Sequence, residues 1–465
     1  MKRIMIGLSA VIFSGCLFAQ TQIEKQVVVN FQQDFNTAAY EKIYQQFSTE
    51  MQKALPITML KDVSEGLKNQ LGQIKDIHFI ENKGASTAIY RAEFDKDRLK
   101  MTVSLNDQGQ ISGLLFSPYV ESSAASNTTE NHIHSYPKHI ANKIFTATRT
   151  FPEKTQIAIA VIEPEKTEYF GVYKHDNKVQ NTKNEQKIFG IGSISKVLTS
   201  TVLAELVVQN KLKLEDSINH YYPFTFKENI QLRFKDLANH TSGLPRLPSN
   251  ADILSLENPY EVYDVIRLEH YLKDDLVLEK PDNQGKSPSY SNLAVGLLGH
   301  SLGLSQQKSF SDLLQNYVFD QYDMKNTYTS PSQVENNLVP ALNEKGEVIP
   351  TWEFDTMLGA GGILSSVEDL AHFAQAQLDV KNLATQMTQQ STTEKVANYQ
   401  IGLGWFIREN DDAKKILWHG GNTAGHTSIL IVDLKKKKAV TILANVSVSH
   451  PEMSNIENLA LELLN

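Results

Sequence analysis

The sequence predicts an α+β protein in two parts: a small α+β domain over residues 20–120, and a larger domain over residues 139–465 built as one antiparallel sheet with helices on both faces. Three observations predict this. Helical periodicity near the start gives way, before residue 120, to a series of short strands bounded by turn residues. A polar run poor in large apolar groups, ESSAASNTTENHIH from Glu121 to His134, marks a linker over residues 121–138. Beyond it, strand patterns lie at both ends of the remaining chain with helical ones between, an order that brings first and last strands into one sheet.

The first residues, MKRIMIGLSAVIFSGCLFAQ, form a separate unit. Lys2 and Arg3 precede an apolar core from Ile4 to Phe18 that is too short to span a bilayer comfortably, and Ala19 offers a small residue for cleavage. Residues 1–19 therefore read as an export signal, and the mature protein as periplasmic or secreted, with no transmembrane span. Ser14-Gly15-Cys16 allows an alternative reading as a lipoprotein anchored through Cys16, with Phe13 standing where an aliphatic residue is usual. Cys16 is the sole cysteine of the 465 residues, so the exported part has neither a disulfide nor a thiol nucleophile. A formal net charge of −8 gives no attraction to nucleic acid or to anionic membrane surfaces.

Within residues 20–120, Tyr40, Ile43, Tyr44 and Phe47 follow helical spacing, and a second helix from Thr58 to Leu71 is closed by Gly72. Strands follow at Ile77–Ile80, Ala88–Phe94, Leu99–Leu105 and, after the Asp107-Gln108-Gly109 turn, Ile111–Phe116. Helices followed by an antiparallel sheet resemble the cone-like nuclear-transport-factor fold. No cluster of ionisable residues here suggests chemistry, so a binding or spacer role is expected. His132, His134 and His139 have no neighbouring carboxylate ligand motif and read as a solvated tract rather than a metal site.

In the larger domain a helix through Ile140–Thr148 precedes strands at Gln156–Ile162 and Tyr169–Lys174. The stretch Phe189–Lys211, FGIGSISKVLTSTVLAELVVQNK, follows: Gly190 and Gly192 permit a tight entry, and Leu198, Val202 and Leu206 mark a buried helix stripe. LRFKDLANHTSGLP (Leu232–Pro245) gives a short helix and a turn at which Gly243 takes positive φ. GAGGILSSVEDLAHF (Gly359–Phe373) is a glycine-rich turn into a helix, with Ser365 and Glu368 at capping-box spacing; its glycines match no phosphate or dinucleotide loop. Strands at His426–Leu434 and Ala439–Val446 flank Lys435–Lys438, a solvated hairpin tip, and a helix over Ser454–Leu464 closes the chain.

Three motifs carry chemistry. Ser193 and Lys196 are three apart at a helix start, so an amine sits on the same face as a hydroxyl whose proton it can take. A second copy of the spacing, Ser135 to Lys138, contains Pro137 and lies in the expected linker, where no buried helix is expected. Tyr290 and Asn292 precede an apolar helical run. A phenol ionises near pH 10, but beside Lys196 the phenolate is expected to be favoured, so that Tyr290 exchanges a proton with Ser193 and passes it to a leaving group. Asn292 supplies an amide to a substrate carbonyl. Trp418-His419-Gly420-Gly421-Asn422 opens a strand pair. There Gly421 allows a ligand backbone to approach, the N–H groups of Ser193 and Asn422 form an oxyanion hole, and His419 is a hydrogen-bond donor or a contact for a substrate carboxylate. If His419 must be protonated to hold an anionic substrate, affinity is expected to weaken as pH rises through about 6–7.

Taken in order, Ser193-x-x-Lys196, Tyr290-x-Asn292 and His419-x-Gly421 resemble the serine β-lactamase and penicillin-binding-protein superfamily, on the side of class C β-lactamases and D-alanyl-D-alanine carboxypeptidases. The framing segments FGIGSISKVLTS, LANHTSGLP, YSNLAVGLLG, MKNTYTS and AGGILSSVEDLAHF carry the same resemblance, over about residues 140–465. It implies a helix–sheet–helix hydrolase fold, an acyl-enzyme on Ser193 and no metal or organic cofactor. The chain departs from the class C pattern in having no Lys-Thr-Gly, and in carrying Gln321-Tyr322-Asp323 where Pro-Leu-Gly is usual. Those departures point away from a dedicated β-lactamase, toward an exported serine hydrolase of amide, D-peptide or ester substrates, whether small molecules or peptides. The alternative is a catalytically silent binding or sensing protein of the cell envelope on the same fold.

Overall fold

The computed structural model describes residues 22–465 except 56, 84–85, 120–127, 252–257, 259, 280–283, 335, 380, 397–398 and 410–414. The expected export signal, Cys16 and the first part of the expected linker thus lie outside the described residues. The chain divides into two compact units, residues 1–121 and 122–465.

The first unit begins with a helix the sequence reading missed, α1 (Gln22–Asn36), followed by α2 (Tyr40–Gln45), α3 (Thr49–Ala54) and α4 (Ile57–Leu71). The buried stripe of α1 is narrow, carried by Val28, Phe31 and Phe35 at i, i+3 and i+7, while Ile23 and Val29 face outward. It is held by what it meets: Phe35 packs edge-on to Phe94, 6.0 Å between centroids, and Phe31 lies 6.0 Å from Phe116. Strands β1 (Ile74–Asn82), β2 (Thr87–Phe94), β3 (Arg98–Leu105) and β4 (Ile111–Pro118) form an antiparallel sheet in that order. Gly72 ends α4 with φ of +87°, the left-handed backbone that favours glycine at this position.

The second unit is organised on a sheet that has nine strands among the described residues. In chain order they are β5 (Glu130–His132), β6 (Gln156–Glu163), β7 (Lys166–His175), β8 (Lys178–Asn181), β9 (Gln400–Ile401), β10 (Phe406–Glu409), β11 (Lys415–Asn422), β12 (Thr427–Asp433) and β13 (Lys438–Ala444). Their spatial order is β9-β10-β11-β12-β13-β6-β7-β8-β5, so the last long strand lies beside the first, paired Ala439↔Ile162 through Ala444↔Ile157.

Strands β6, β12 and β13 are apolar on both sides because both faces are covered. Ile157 and Ile159 join one core with Ile144 of α5 (Lys138–Thr148) and Leu459 and Leu463 of the C-terminal helix Ser454–Leu464. The alternate residues Ala158 and Ala160 join a second core with Leu198 and Val202. The latter belong to α6 (Ser195–Val208), in which every residue from Ser195 to Leu206 is buried. The sequence pattern shows one apolar stripe; the polar residues on the other faces, such as Thr199 and Thr201, are buried by bonding their hydroxyls to backbone carbonyls.

Two expectations are corrected. Residues 130–132, placed in the linker by their polarity, form β5, the parallel edge partner of β8. Ladder hydrogen bonds and the burial of Ile133, the one large aliphatic residue of that run, outweigh the polar composition. The helix Val367–Gln377 is capped by Ser366, which accepts from Asp369 N at 3.1 Å, and not by Ser365, whose backbone is committed to a short strand opposite Phe189.

Candidate active site

Ser193 lies in a single 3-10 turn, Gly192–Ile194, immediately before α6. Gly192 takes φ of +49°, and a Cβ there would stand 2.5 Å from Asn422 N, so both the turn and the close approach of β11 require glycine. Lys196, one turn on, is fully buried. Its Nζ lies 3.1 Å from Ser193 Oγ and donates to the carbonyl oxygen of Ala360 at 2.5 Å. The GAGG turn, whose glycines match no phosphate or dinucleotide loop, thus supplies a partner to the lysine, a contact that sequence reasoning missed because it is made by backbone.

Tyr290, separated from Ser193 by 97 positions in the sequence, donates its hydroxyl to Ser193 Oγ at 2.8 Å. Lys196 Nζ is 4.9 Å from the centroid of the Tyr290 ring. The hydroxyl, amine and phenol of the first two motifs therefore converge on one atom. The loop carrying Tyr290 is fastened to LANHTSGLP: Ser289 N and Ser291 N donate to His240 O (2.7 Å) and His240 Nδ1 (3.2 Å), and Ser291 Oγ to Pro245 O (2.6 Å). Arg246 O then accepts from Asn292 N and Leu293 N, capping the helix Asn292–Gln306 from outside. His240, a residue that sequence reasoning left unassigned, packs on Tyr290 with 4.6 Å between ring centroids.

Burial sets the protonation of this cluster. It lowers the Lys196 amine well below its ordinary 10.5, with a further lowering from the Arg246 charge. It raises the Tyr290 phenol above 10, outweighing the hydrogen bond to Ser193 and the field of Arg246, both of which lower it. The phenolate expected beside Lys196 is therefore not the resting form. The phenol stays protonated, while burial favours the uncharged form of the amine, which makes the amine the better base of the two.

His419 is corrected as well. It is buried on β11, and its Nδ1 lies 2.8 Å from Gly420 O, a contact that places the ring proton on Nδ1. Nε2 is buried without a partner. Desolvation first, then the neighbouring Lys196, brings its pKa down to about 3. A neutral ring whose one N–H is already engaged offers no donor to a carboxylate. Gly421 also serves differently from expectation: a Cβ there would collide with Ile191 O and stand 2.9 Å from Ser193 N. The backbone that approaches Gly421 belongs to the nucleophile turn itself. Ser428 Oγ ties the same turn to the sheet by donating to Ile191 O at 2.8 Å. These contacts bring the amides of Ser193 and Asn422 to one seam, the arrangement an oxyanion hole requires.

Asn292 has one end of its amide held by Tyr260, 3.0 Å from Nδ2 to Oη, while Oδ1 is buried without a partner. Tyr260 in turn stacks on Phe354 at 4.5 Å, which makes an aromatic wall beside the amide. Among the described residues no group of three or more His, Cys, Asp or Glu side chains is placed to hold a metal ion.

Residues 147–464 match the Beta-lactamase family, and residues 28–114 match a family described as Protein of unknown function (DUF3887). The β-lactamase of Pseudomonas fluorescens is 28% identical over 257 residues, 54% of this chain and 68% of that protein. That of Providencia stuartii is 28% identical over 229 residues, 48% of this chain and 54% of the relative. That of Psychrobacter immobilis is 24% identical over 314 residues, 66% of this chain and 73% of the relative. The β-lactamase/D-alanine carboxypeptidase from Pseudomonas syringae shares the fold with a TM-score of 0.59 at 20% identity, covering 70% of this chain and 98% of that one. The octameric penicillin-binding protein homologue from Pyrococcus abyssi gives a TM-score of 0.56 at 21% identity, covering 70% and 76%.

Proposed function

Because the chain belongs to the Beta-lactamase family over residues 147–464, we propose that it is an exported serine hydrolase that works through an acyl-enzyme on Ser193. The observation that carries the reading is the convergence of Lys196 Nζ (3.1 Å) and Tyr290 Oη (2.8 Å) on Ser193 Oγ.

In this reading neutral Lys196 takes the hydroxyl proton as Oγ attacks an amide or ester carbonyl. The new C–O bond drives the carbonyl electrons onto oxygen, where the Ser193 and Asn422 amides hold them. Collapse expels the leaving group, which takes a proton from Tyr290; the phenol is restored from Lys196. Water then repeats the sequence on the acyl-enzyme. The end of the Asn292 amide that Tyr260 leaves unengaged is Oδ1, so Asn292 positions the acyl part by accepting from an N–H or O–H of the substrate rather than by donating to its carbonyl. The substrates in this reading are amides, D-peptides or esters, and Lys2 and Arg3 ahead of the apolar run Ile4–Phe18 support export to the periplasm or exterior.

Intact-mass measurement after exposure to a penicillin and to a fluorophosphonate tests the reading. It expects one adduct, lost in Ser193→Ala. No adduct with either reagent, or labelling that survives Ser193→Ala, would overturn it. Adduct formation without turnover of any activated ester would instead favour a binding or sensing protein on this fold.

A further inference from the structure

We propose that Arg246, rather than His419, holds the carboxylate of an anionic substrate at the mouth of the Ser193 site. The inference deepens the serine-hydrolase reading and rests on it.

Four observations carry it. The Arg246 side chain is exposed, and its guanidinium carbon lies 5.2 Å from the centroid of the Tyr290 ring. One aromatic ring thus separates a fixed cation from the hydroxyl that meets Ser193 Oγ at 2.8 Å. Among the described residues no carboxylate lies within ion-pair distance of Arg246, whereas Arg233, nearby in sequence, is held by Glu215 and Asp236. Its backbone is fixed, because its carbonyl oxygen accepts from Asn292 N at 3.0 Å and Leu293 N at 3.2 Å. The backbone that carries the cation is therefore tied to the element that presents Tyr290 and Asn292.

The other polar groups of the site leave this role open. His419 is buried, with its one N–H on Gly420 O. Lys196 is enclosed and committed to Ser193 and Ala360. A guanidinium keeps its charge at any working pH and presents paired N–H donors that match a carboxylate. Its field already reaches the reacting groups, where it favours the neutral amine of Lys196 and opposes the burial that raises the Tyr290 phenol. A bound carboxylate would neutralise that field as the substrate docks.

The test compares an activated aryl ester carrying a free carboxylate on its leaving group with the methyl ester of the same compound. Wild-type protein is expected to prefer the carboxylate twin about 10-fold or more in kcat/KM, the scale of a charge-assisted hydrogen bond. In Arg246→Gln that ratio is expected to collapse to within about 2-fold, chiefly through KM, and Arg246→Lys to restore part of it. Arg408, a cation stacked on Trp418 at 5.7 Å, is the control, and Arg408→Gln should keep the ratio. No wild-type preference, or an unchanged ratio in Arg246→Gln, overturns the assignment. Calorimetric binding of both twins to Ser193→Ala, with and without Arg246→Gln, reads the same preference without turnover. Absence of turnover by the wild type therefore counts against the hydrolase, and absence of the binding preference counts against Arg246.

Discussion

Lys196 Nζ donates to the carbonyl oxygen of Ala360 at 2.5 Å from a position 3.1 Å from Ser193 Oγ. An amine anchored through one N–H, whose uncharged form burial favours, stands where it can take the hydroxyl proton. Lys196→Ala is therefore expected to slow fluorophosphonate labelling of Ser193 by roughly 10²- to 10⁴-fold. Lys196→Arg should not rescue it, because a guanidinium stays protonated. A time course by intact mass, with thermal unfolding to show that each variant is folded, checks both. Labelling within about 10-fold of wild type in Lys196→Ala would remove the lysine from the acylation step.

The pH profile follows from the same burial. Lys196 acts as a base only when deprotonated, and its pKa lies well below 10.5, so kcat/KM should rise with pH through that lowered value and then level off. Tyr290, raised above 10, stays protonated across the plateau. His419, at about 3, is neutral throughout and contributes no change near pH 6–7. Steady-state kinetics from pH 5 to 9 on a carboxylate substrate provide the check. A KM that climbs between pH 6 and 7, and no longer does so in His419→Gln, would return the anchoring role to the histidine.

The chemistry of this protein was more legible in its sequence than the environment that tunes it. Ser193, Lys196 and Tyr290 could be read because each stands in a local pattern with a mechanical reason: a tight turn, one helical repeat, a capped helix start. His419 was misassigned because its identity suggests a titrating contact, whereas its neutrality comes from enclosure on β11, a tertiary property. Ala360 was invisible because the atom that matters is backbone, and Arg246 because its role depends on a ring supplied 44 residues later in the chain. In the fold, strands buried on both faces were found by their apolar runs, while α1 escaped because its apolar residues do not all fall on the buried face, and β5 because its partner β8 stabilises a segment whose own composition is polar.

Gly421 is open to a steric test. A Cβ at this position would stand 2.9 Å from Ser193 N and collide with Ile191 O, so Gly421→Ala must push β11 away from the nucleophile turn. That separates the two amides assigned to the oxyanion. Loss of one such donor is worth about 3–4 kcal/mol, so acylation should fall by roughly 10²- to 10³-fold. Gly420→Ala is the companion variant: its nearest neighbours would be 3.7 Å away, ordinary contact, and its effect should be much smaller. Equal rates for the two variants, both shown to be folded, would separate the seam from catalysis.

Stability in acid is expected to depend on His426. The side chain is fully buried, its Nε2 lies 3.0 Å from Val339 O, and Nδ1 has no partner. Protonating Nδ1 places an unpaired charge against Phe189, and desolvation lowers the pKa from 6.5 to about 4, partly opposed by the bond to Val339. The unfolded chain takes up this proton first. Stability is therefore intact above about pH 6.5 and declines as pH falls toward 4, by about 3 kcal/mol for this residue alone. His419 and His240, buried and lowered in the same direction, add to the loss. Urea unfolding midpoints at pH 7, 5.5 and 4.5 should fall steeply for wild type and less steeply for His426→Gln, whose amide keeps a donor for Val339 O but takes up no proton. Parallel slopes for the two proteins would show that the buried imidazole is not what makes the fold acid-sensitive.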